Sequence, residues 1–130
     1  MTVTDLIAQA QAARERAYAP YSHFAVGAAL LARDGRVFTG CNVENASYGL
    51  TVCAERVAIF KAVSEGCRDF AAIAVVTATG ATPCGACRQV LVEFGVDQII
   101  VARSNGSYAT FTLDELVPQA FDCRHLKDRR

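Results

Sequence analysis

The sequence predicts an α/β fold in which helices lie on both faces of a mixed sheet, giving three layers. Stretches with helical and with strand-like patterns alternate along the chain. Two continuous apolar runs, Ala71 to Thr77 and Gln98 to Ala102, are typical of strands buried on both faces of a sheet. The 130 residues contain no internal repeat, low-complexity segment or linker, so we expect one domain over residues 1–130.

A helix and a hairpin open the chain. Thr4 or Asp5 can cap the helix, and Ala19-Pro20 ends it. Strand-like stretches over Ala25 to Leu31 and Arg36 to Cys41 flank a strong turn signal at residues 33–35, so we expect them to pair. Asn42 to Thr51 is rich in Asn, Ser and Gly, which is typical of a loop. The apolar residues of the first helix recur at helical spacing, namely Leu6, Ile7, Ala10, Ala13 and Ala17.

Two further helices are predicted in the rest of the chain. One runs from Cys53 to Ser64 and stops near Gly66. The other runs from Cys84 to about Phe94, because Pro83 suits a first helical turn and Gly95 suits a helix end. The residues of the Cys53 helix available for packing are Ala54, Val57, Ala58, Phe60 and Ala62. The remaining elements are the two apolar strands, a strand over Tyr108 to Phe111 and a short helix from Leu113.

The composition excludes several classes of function. Thirteen basic and thirteen acidic residues give no net charge, so bulk electrostatics attracts neither nucleic acid nor any other polyanion. No apolar run approaches the ~20 residues that a membrane span needs. A mean hydropathy of +0.22 is high for a small chain, and we expect part of its apolar surface to meet another subunit. The substrate is therefore expected to be small and not strongly charged.

Three of the six cysteines have the pattern of zinc ligands. The N-terminus lacks the pattern of a secretory signal peptide, so we expect a cytosolic chain with reduced thiols. Cys53 and Cys84 fall at predicted helix starts, where the helix dipole favours the thiolate, and Cys87 follows Cys84 on the same face. Three thiolates hold a tetrahedral Zn²⁺ and leave its fourth position open for water, as in catalytic sites.

Three other interpretations of these cysteines stay open. Cys84-Gly85-Ala86-Cys87 also resembles a thioredoxin-like dithiol, although that leaves Cys53 without a role. Cys53 could also be a packed core residue. A closed structural zinc site would need a fourth ligand, for which the candidates are Cys41, Cys67, Cys123, His23 and His125.

The two residues after Cys53-Ala54 gain specific tasks beside an open zinc. Glu55 could take the proton from metal-bound water and pass it to the substrate, whereas from position alone it is only a dipole-favouring residue of a first helical turn. Arg56 could donate to the sulfurs and reduce their negative charge, or it could be an ordinary surface arginine.

The combination Cys53-Ala54-Glu55 and Pro83-Cys84-x-x-Cys87 resembles zinc-dependent nucleobase deaminases in the variant with cysteine as first ligand. The segments Tyr21 to Leu30, Gly40 to Tyr48 and Cys84 to Leu91 closely resemble small homotetrameric cytidine deaminases, and the resemblance runs from about Leu6 to Phe121. It implies a cytidine-deaminase-like α/β/α domain with one Zn²⁺ per subunit, in a cytoplasmic homotetramer that deaminates cytidine and 2′-deoxycytidine in pyrimidine salvage. The mechanism that the resemblance implies is attack of zinc-activated water at C4, with Glu55 as proton shuttle.

The resemblance also assigns the substrate-binding residues. Asn42 and Glu44 match the pair that holds the ribose 3′-hydroxyl, and Phe24 matches an aromatic residue that packs on the pyrimidine. The backbone N–H of Ala54 matches a group that meets the base. Three further positions match residues that reach a neighbouring subunit's site: Ala46 and Tyr48 near the 5′-hydroxyl, and Phe121 over the base. His23 matches no zinc ligand and is predicted to be a solvated loop residue.

Other functions remain as alternatives. Blasticidin-type deaminases share the zinc motif, but this chain keeps the nucleoside-binding pattern Asn42-Val43-Glu44-Asn45. A nucleic-acid deaminase would need a basic face, and the only basic cluster is Arg124 to Arg130. A protein that binds nucleosides without converting them is disfavoured by the intact Glu55. The Cys84 to Cys87 dithiol keeps a redox protein open as a different class. We expect neither nucleic acid nor membrane as a partner.

Overall fold

The computed structural model describes residues 1–126, in which a five-stranded mixed sheet lies between helices on both faces, and it confirms the predicted architecture. The final residues 127–130 of the basic tail lie outside this range. Within it, no helix has the length and apolarity to span a membrane. The elements are α1 (Val3–Arg14), β1 (Gly27–Ala32), β2 (Val37–Cys41), α2 (Ala54–Ser64), β3 (Phe70–Thr77), α3 (Gly85–Glu93), β4 (Ile99–Arg103), β5 (Tyr108–Phe111) and α4 (Leu113–Leu116).

The strand order is β2-β1-β3-β4-β5, with one parallel pair. β1 is antiparallel to β2, its hairpin partner, and to β3, while β5 is antiparallel to β4. β3 and β4 run parallel and are joined through α3. Because the chain leaves the far end of α2 and returns along β3, α2 and α3 both begin at the carboxyl edge of β3.

Two apolar clusters hold the helices against the sheet. On one face, Leu6, Ile7 and Ala10 of α1 pack on small residues of the central strands, including Ala29 and Ala74. On the other face, α2 and α3 cover the larger side chains of the sheet. The buried members there include Leu30, Phe38, Ala58, Ile59, Phe70, Ile73, Val75, Leu91, Ile99 and Val101.

The helix boundaries correct several predictions. The N-cap of α1 is Thr2, which forms a capping box with Asp5, so neither Thr4 nor Asp5 is the cap. This helix ends at Arg14, three residues before the last position of its apolar pattern, Ala17. Pro83 lies before the helix rather than in its first turn, because Cys84 is the N-cap of α3.

Phe60 was expected to be available for packing, but it does not lie in the core. Its side chain is 48% exposed, and the adjacent Ile59 is the large residue of α2 that is buried. The pattern of apolar residues on α2 covers more of the helix surface than the sheet can bury, so the sequence alone did not separate the two faces. Phe60 is therefore an apolar side chain left on the outer face of α2.

We predict that Gly40→Ala destabilises the protein by about 1–3 kcal/mol through overpacking. Gly40 of β2 faces the first turns of α2, and an added Cβ would lie 2.6 Å from the carbonyl oxygen of Ala54 and 2.7 Å from the nitrogen of Ala58. Urea unfolding would measure the change. Gly49→Ala is the matched control, since no atom of the described residues 1–126 lies within 4 Å of its added Cβ. Equal stability of the two variants would contradict the prediction.

Candidate metal centre and adjoining pocket

The three predicted thiol ligands meet where α2 and α3 begin. Cys53 is the N-cap of α2, Cys84 is the N-cap of α3, and Cys87 lies buried in the first turn of α3. All three Sγ atoms lie within 4.8 Å of one another, with Cys53 and Cys84 3.7 Å apart and Cys84 and Cys87 3.5 Å apart. Tetrahedral Zn²⁺ with Zn–S bonds of about 2.3 Å separates its sulfurs by roughly 3.8 Å, so the donor set fits zinc.

No fourth protein ligand joins this cluster in the part of the chain that the structure describes. The thiols of Cys53, Cys84 and Cys87 form the only group there of three or more His, Cys, Asp or Glu residues that could hold a metal ion. The five candidate fourth ligands all lie outside it, which disfavours a closed structural site. Cys53 is half-buried within the cluster, so it is not simply a core residue.

Arg56 contacts the cluster directly. Its Nη2 donates a hydrogen bond to the Sγ of Cys53 at 3.3 Å. Together with the neighbouring Cys87 thiol, which has the larger effect, Arg56 lowers the pKa of the Cys53 thiol to about 5 against the opposing effect of burial. The same contact raises the pKa of Arg56 further. The guanidinium is thus a fixed positive charge beside the sulfurs and not a free surface group.

Glu55 is a buried carboxyl group next to the thiols. Its side chain is only 4% exposed, although it stands in the first turn of α2. Burial raises the pKa of Glu55 to about 7, and the charge of the Cys53 thiolate adds to this rise while the backbone N–H of Glu55 opposes it. A carboxyl group in this environment can both accept and release a proton near neutral pH.

A pocket of about 240 Å³ opens beside the metal centre. Glu55 and the thiols of Cys53 and Cys84 line one side of it, and Val75 and Thr77 at the end of β3 add to its wall. The predicted substrate-binding residues that also line it are Phe24, Asn42, Glu44 and Tyr48. The structure therefore brings most of the predicted site residues around a single cavity.

Three predicted substrate-binding residues, Ala46, Ala54 and Phe121, are not among those that line this cavity. Ala54 is fully buried at the start of α2, and Ala46 is exposed on the loop before α2. Phe121 is 57% exposed, and its ring stacks on His125 with 5.4 Å between ring centroids. The Nε2 of Gln89 donates to the carbonyl oxygen of Phe121 at 2.8 Å. A role for Ala46 and Phe121 in a neighbouring subunit's site stays a prediction.

Asn42 and Glu44 both reach towards the segment 21–26. Asn42 accepts a hydrogen bond from the N–H of Val26 at 2.9 Å and donates to the carbonyl oxygen of Phe24 at 2.8 Å. Glu44 is 5% exposed, and its Oε1 accepts from the N–H groups of Tyr21 and Ser22 at 3.0 and 3.1 Å. The hydroxyl of Ser22 also donates to Glu44. Together these bonds lower the pKa of Glu44, and the Ser22 hydroxyl has the largest effect. The carboxylate therefore stays ionised.

Three residues that support the site were not identified from the sequence. Ser22 bonds to Glu44, and Thr77 accepts from the N–H groups of Gly80 and Ala81 at 2.8 and 3.1 Å. Arg88 binds the carbonyl oxygen of Pro83 at 2.7 Å. The signal for Thr77 was present, because a polar residue ends an otherwise apolar strand. Ser22 and Arg88 carry no comparable pattern, since their partners are distant backbone and carboxylate groups.

Comparisons with known proteins identify the same motifs. The family model for the cytidine and deoxycytidylate deaminase zinc-binding region matches residues 2–103. A cytidine deaminase of Sporosarcina psychrophila is 52% identical over 125 residues, covering 93% of this chain and 92% of the relative. One of Halalkalibacterium halodurans is 53% identical over 127 residues, covering 95% of this chain and 96% of the relative. The crystal structure of cytidine deaminase from Burkholderia pseudomallei has a TM-score of 0.90 and 54% identity, covering 93% of this chain and 100% of that one.

The comparisons also rank the alternatives. A blasticidin-S deaminase of Bacillus cereus is more distant, with 32% identity over 103 residues, which cover 72% of this chain and 74% of the relative. The thioredoxin-like interpretation is disfavoured by geometry, because the Sγ of Cys53 lies as close to Cys84 as a shared metal ion requires.

We predict that Cys84→Ala and Cys87→Ala each abolish stoichiometric zinc binding and lower the thermal stability, because two thiolates cannot hold the ion as three do. Metal analysis of the purified variants and thermal unfolding would measure both effects. Cys123→Ala is the matched control, because Cys123 is exposed and lies outside the cluster. Full zinc content in either ligand variant would contradict the assignment.

Proposed function

Because the chain belongs to the cytidine and deoxycytidylate deaminase family, we propose that it hydrolyses cytidine and 2′-deoxycytidine to uridine and 2′-deoxyuridine with release of ammonia. The observation that supports this most is a single pocket with two chemically different sides. The thiols of Cys53 and Cys84 and the buried carboxyl group of Glu55 form one side, and an aromatic residue with an amide and a carboxylate forms the other. A nucleoside needs both sides, because its base reacts while its sugar is held.

Zinc, when bound to the three thiolates, supplies a Lewis acid that makes a water molecule nucleophilic at neutral pH. Glu55 accepts the proton of that water and delivers a proton to N3 of the base, which makes C4 electrophilic. The water oxygen bonds to C4, and Glu55 then takes the proton of the new C4 hydroxyl and passes it to the amino group, so that the C4–N bond breaks, ammonia leaves and the carbonyl of the uracil ring forms. Arg56 offsets the negative charge of the thiolates through its bond to Cys53.

The opposite side of the pocket orients the nucleoside. Phe24 packs on the pyrimidine ring, and the N–H of Ala54 meets the base. Asn42 and Glu44 hold the ribose 3′-hydroxyl, which can donate to the carboxylate and accept from the amide. The lowered pKa of Glu44 supports this role, because the ionised carboxylate is purely an acceptor and therefore receives the proton of the sugar hydroxyl.

We also propose that four subunits assemble, with Ala46 and Phe121 contributing to a neighbour's site, while Tyr48, which was expected to do the same, lines the pocket of its own chain. The exposed aromatic residues Tyr48, Phe60 and Phe121 support this, because large apolar groups on a small chain favour burial between subunits. A cytoplasmic location fits three thiol ligands that must stay reduced to bind metal. Pyrimidine salvage is the physiological role that fits conversion of free nucleosides.

The activity is tested by incubating the zinc-loaded protein with cytidine or 2′-deoxycytidine and following the ultraviolet change on formation of the uracil ring. We expect turnover of both nucleosides and its loss after treatment with a zinc chelator. Blasticidin S serves as the competing substrate. No conversion of either nucleoside by a metal-loaded sample would reject the proposed function.

We predict that Glu55→Gln lowers turnover by at least about 10²-fold while the zinc content stays that of the unaltered protein. The amide has the size of the carboxyl group but cannot take up and return a proton, and general acid–base catalysis of this kind contributes about 10²–10⁴-fold. Single-turnover measurements and metal analysis would test both parts. Unchanged activity in this variant would remove Glu55 from the mechanism.

We predict that Phe60→Asp weakens the assembly, because it places a charge in an apolar contact between subunits. Light scattering on a sizing column should give four times the 13.9 kDa chain mass for the unaltered protein and a smaller mass for the variant. Lys61→Gln, at a neighbouring exposed position, changes the net charge by the same one unit and is the matched control. A 13.9 kDa species for the unaltered protein would reject the tetramer.

A further inference from the structure

We propose that Ser22 is a positioning residue that presents the Glu44 carboxylate to the sugar hydroxyl and thereby sets how strongly the site selects for that hydroxyl. This inference rests on the proposed function and adds a residue to it. Ser22 lines the pocket, and its hydroxyl donates a hydrogen bond to Oε2 of Glu44. The same hydroxyl oxygen accepts from the N–H of Phe24 at 3.0 Å.

The direction of these bonds is fixed by the donors. The N–H of Phe24 can only donate, so the Ser22 oxygen accepts there and its single proton goes to Glu44. The result is a continuous chain of hydrogen bonds from the backbone of the base-packing residue to the carboxylate on the sugar side. A chain that ends on a charged acceptor is stronger than its separate neutral bonds.

Ser22 also decides which part of Glu44 is free to bind substrate. An ionised carboxylate has about four acceptor positions on its two oxygens. The N–H groups of Tyr21 and Ser22 occupy Oε1, and the Ser22 hydroxyl occupies one position on Oε2. The Tyr48 hydroxyl is 3.5 Å from Oε2, too far for a strong bond. The second acceptor position on Oε2 is held only by this long bond, so a hydroxyl donor in the pocket can take it.

Hydrogen bonds hold the backbone around Ser22 in an unfavourable conformation. His23, between Ser22 and Phe24, has a φ of 56°, a left-handed conformation that is unfavourable for most residues with a side chain. Asn42 holds the carbonyl oxygen of Phe24 while Ser22 holds its N–H. Without the Ser22 hydroxyl, one acceptor position on Oε2 of Glu44 loses its donor, and the bond that joins the backbone N–H of Phe24 to that carboxylate is lost.

The test compares Ser22→Ala and Ser22→Thr in steady-state kinetics with cytidine and with 3′-deoxycytidine, which lacks the sugar donor. We expect Ser22→Ala to raise KM for cytidine roughly tenfold with little change in kcat, because a hydrogen bond to a charged group that acts in binding alone is lost. KM for 3′-deoxycytidine should rise much less, so that discrimination between the two nucleosides falls. Ser22→Thr retains the hydroxyl and should keep the discrimination of the unaltered protein.

The controls separate this role from a general loss of structure. Ser64→Ala removes a serine hydroxyl at the far end of α2, where it bonds only to the carbonyl oxygen of Lys61, and should leave both KM values unchanged. Zinc content and thermal unfolding are measured for every variant. If Ser22→Ala folds poorly, it is replaced by Ser22→Cys, whose side chain is of similar size but a weak donor.

Two results would overturn the inference. One is an unchanged KM and unchanged discrimination in Ser22→Ala, and the other is an equal loss in Ser22→Thr, which would assign the effect to space and not to the hydroxyl. Absence of cytidine turnover in the unaltered protein would instead reject the proposed function, so the two failures are distinguishable.

Discussion

The convergence of two helix N-termini at the carboxyl edge of β3 is the constraint on which the site depends. Cys53 and Cys84 are 31 positions apart in the chain, yet their sulfurs lie 3.7 Å from each other because α2 leads away from this edge and β3 leads back to it. Glu55 and Arg56 follow Cys53 on α2, so the same geometry places a buried carboxyl group and a guanidinium beside the thiols. Unpaired N–H groups at both helix starts add positive potential, which favours the thiolate form that a zinc ligand needs.

The pocket opposite the thiols is built in a different way. Segment 21–26 is not part of a regular helix, so the polar side chains of Asn42 and Glu44 supply bonds that a helix or sheet would otherwise provide. Buried polar groups need such partners, and here the partners belong to the residues that line the pocket. One hydrogen-bond network therefore both satisfies the buried carboxylate of Glu44 and positions Phe24.

The predicted and observed elements agree where the sequence pattern that predicts an element lies within that element. The apolar runs predicted β3 and β4 because a strand buried on both faces has no polar positions, and Asp34-Gly35 predicted the β1–β2 hairpin. The cap of α1 was predicted wrongly because several residues near the N-terminus can accept from a helix N–H, and the capping box with Asp5 selects Thr2. Phe60 was predicted wrongly because an apolar residue on a helix can serve a core or an outer surface.

The sequence by itself determined the chemistry of the metal side. Cys53, Glu55, Cys84 and Cys87 stand at helix starts, and local spacing is sufficient to predict ligands and an acid–base group there. Only the tertiary structure decided that Tyr48 lines the pocket of its own chain, that Phe121 stacks on His125 outside that pocket, and that Ser22 connects Phe24 to Glu44. The physical reason is that these contacts join residues through loops, where the path of the backbone is set by distant hydrogen-bond partners and not by any periodic pattern in the chain.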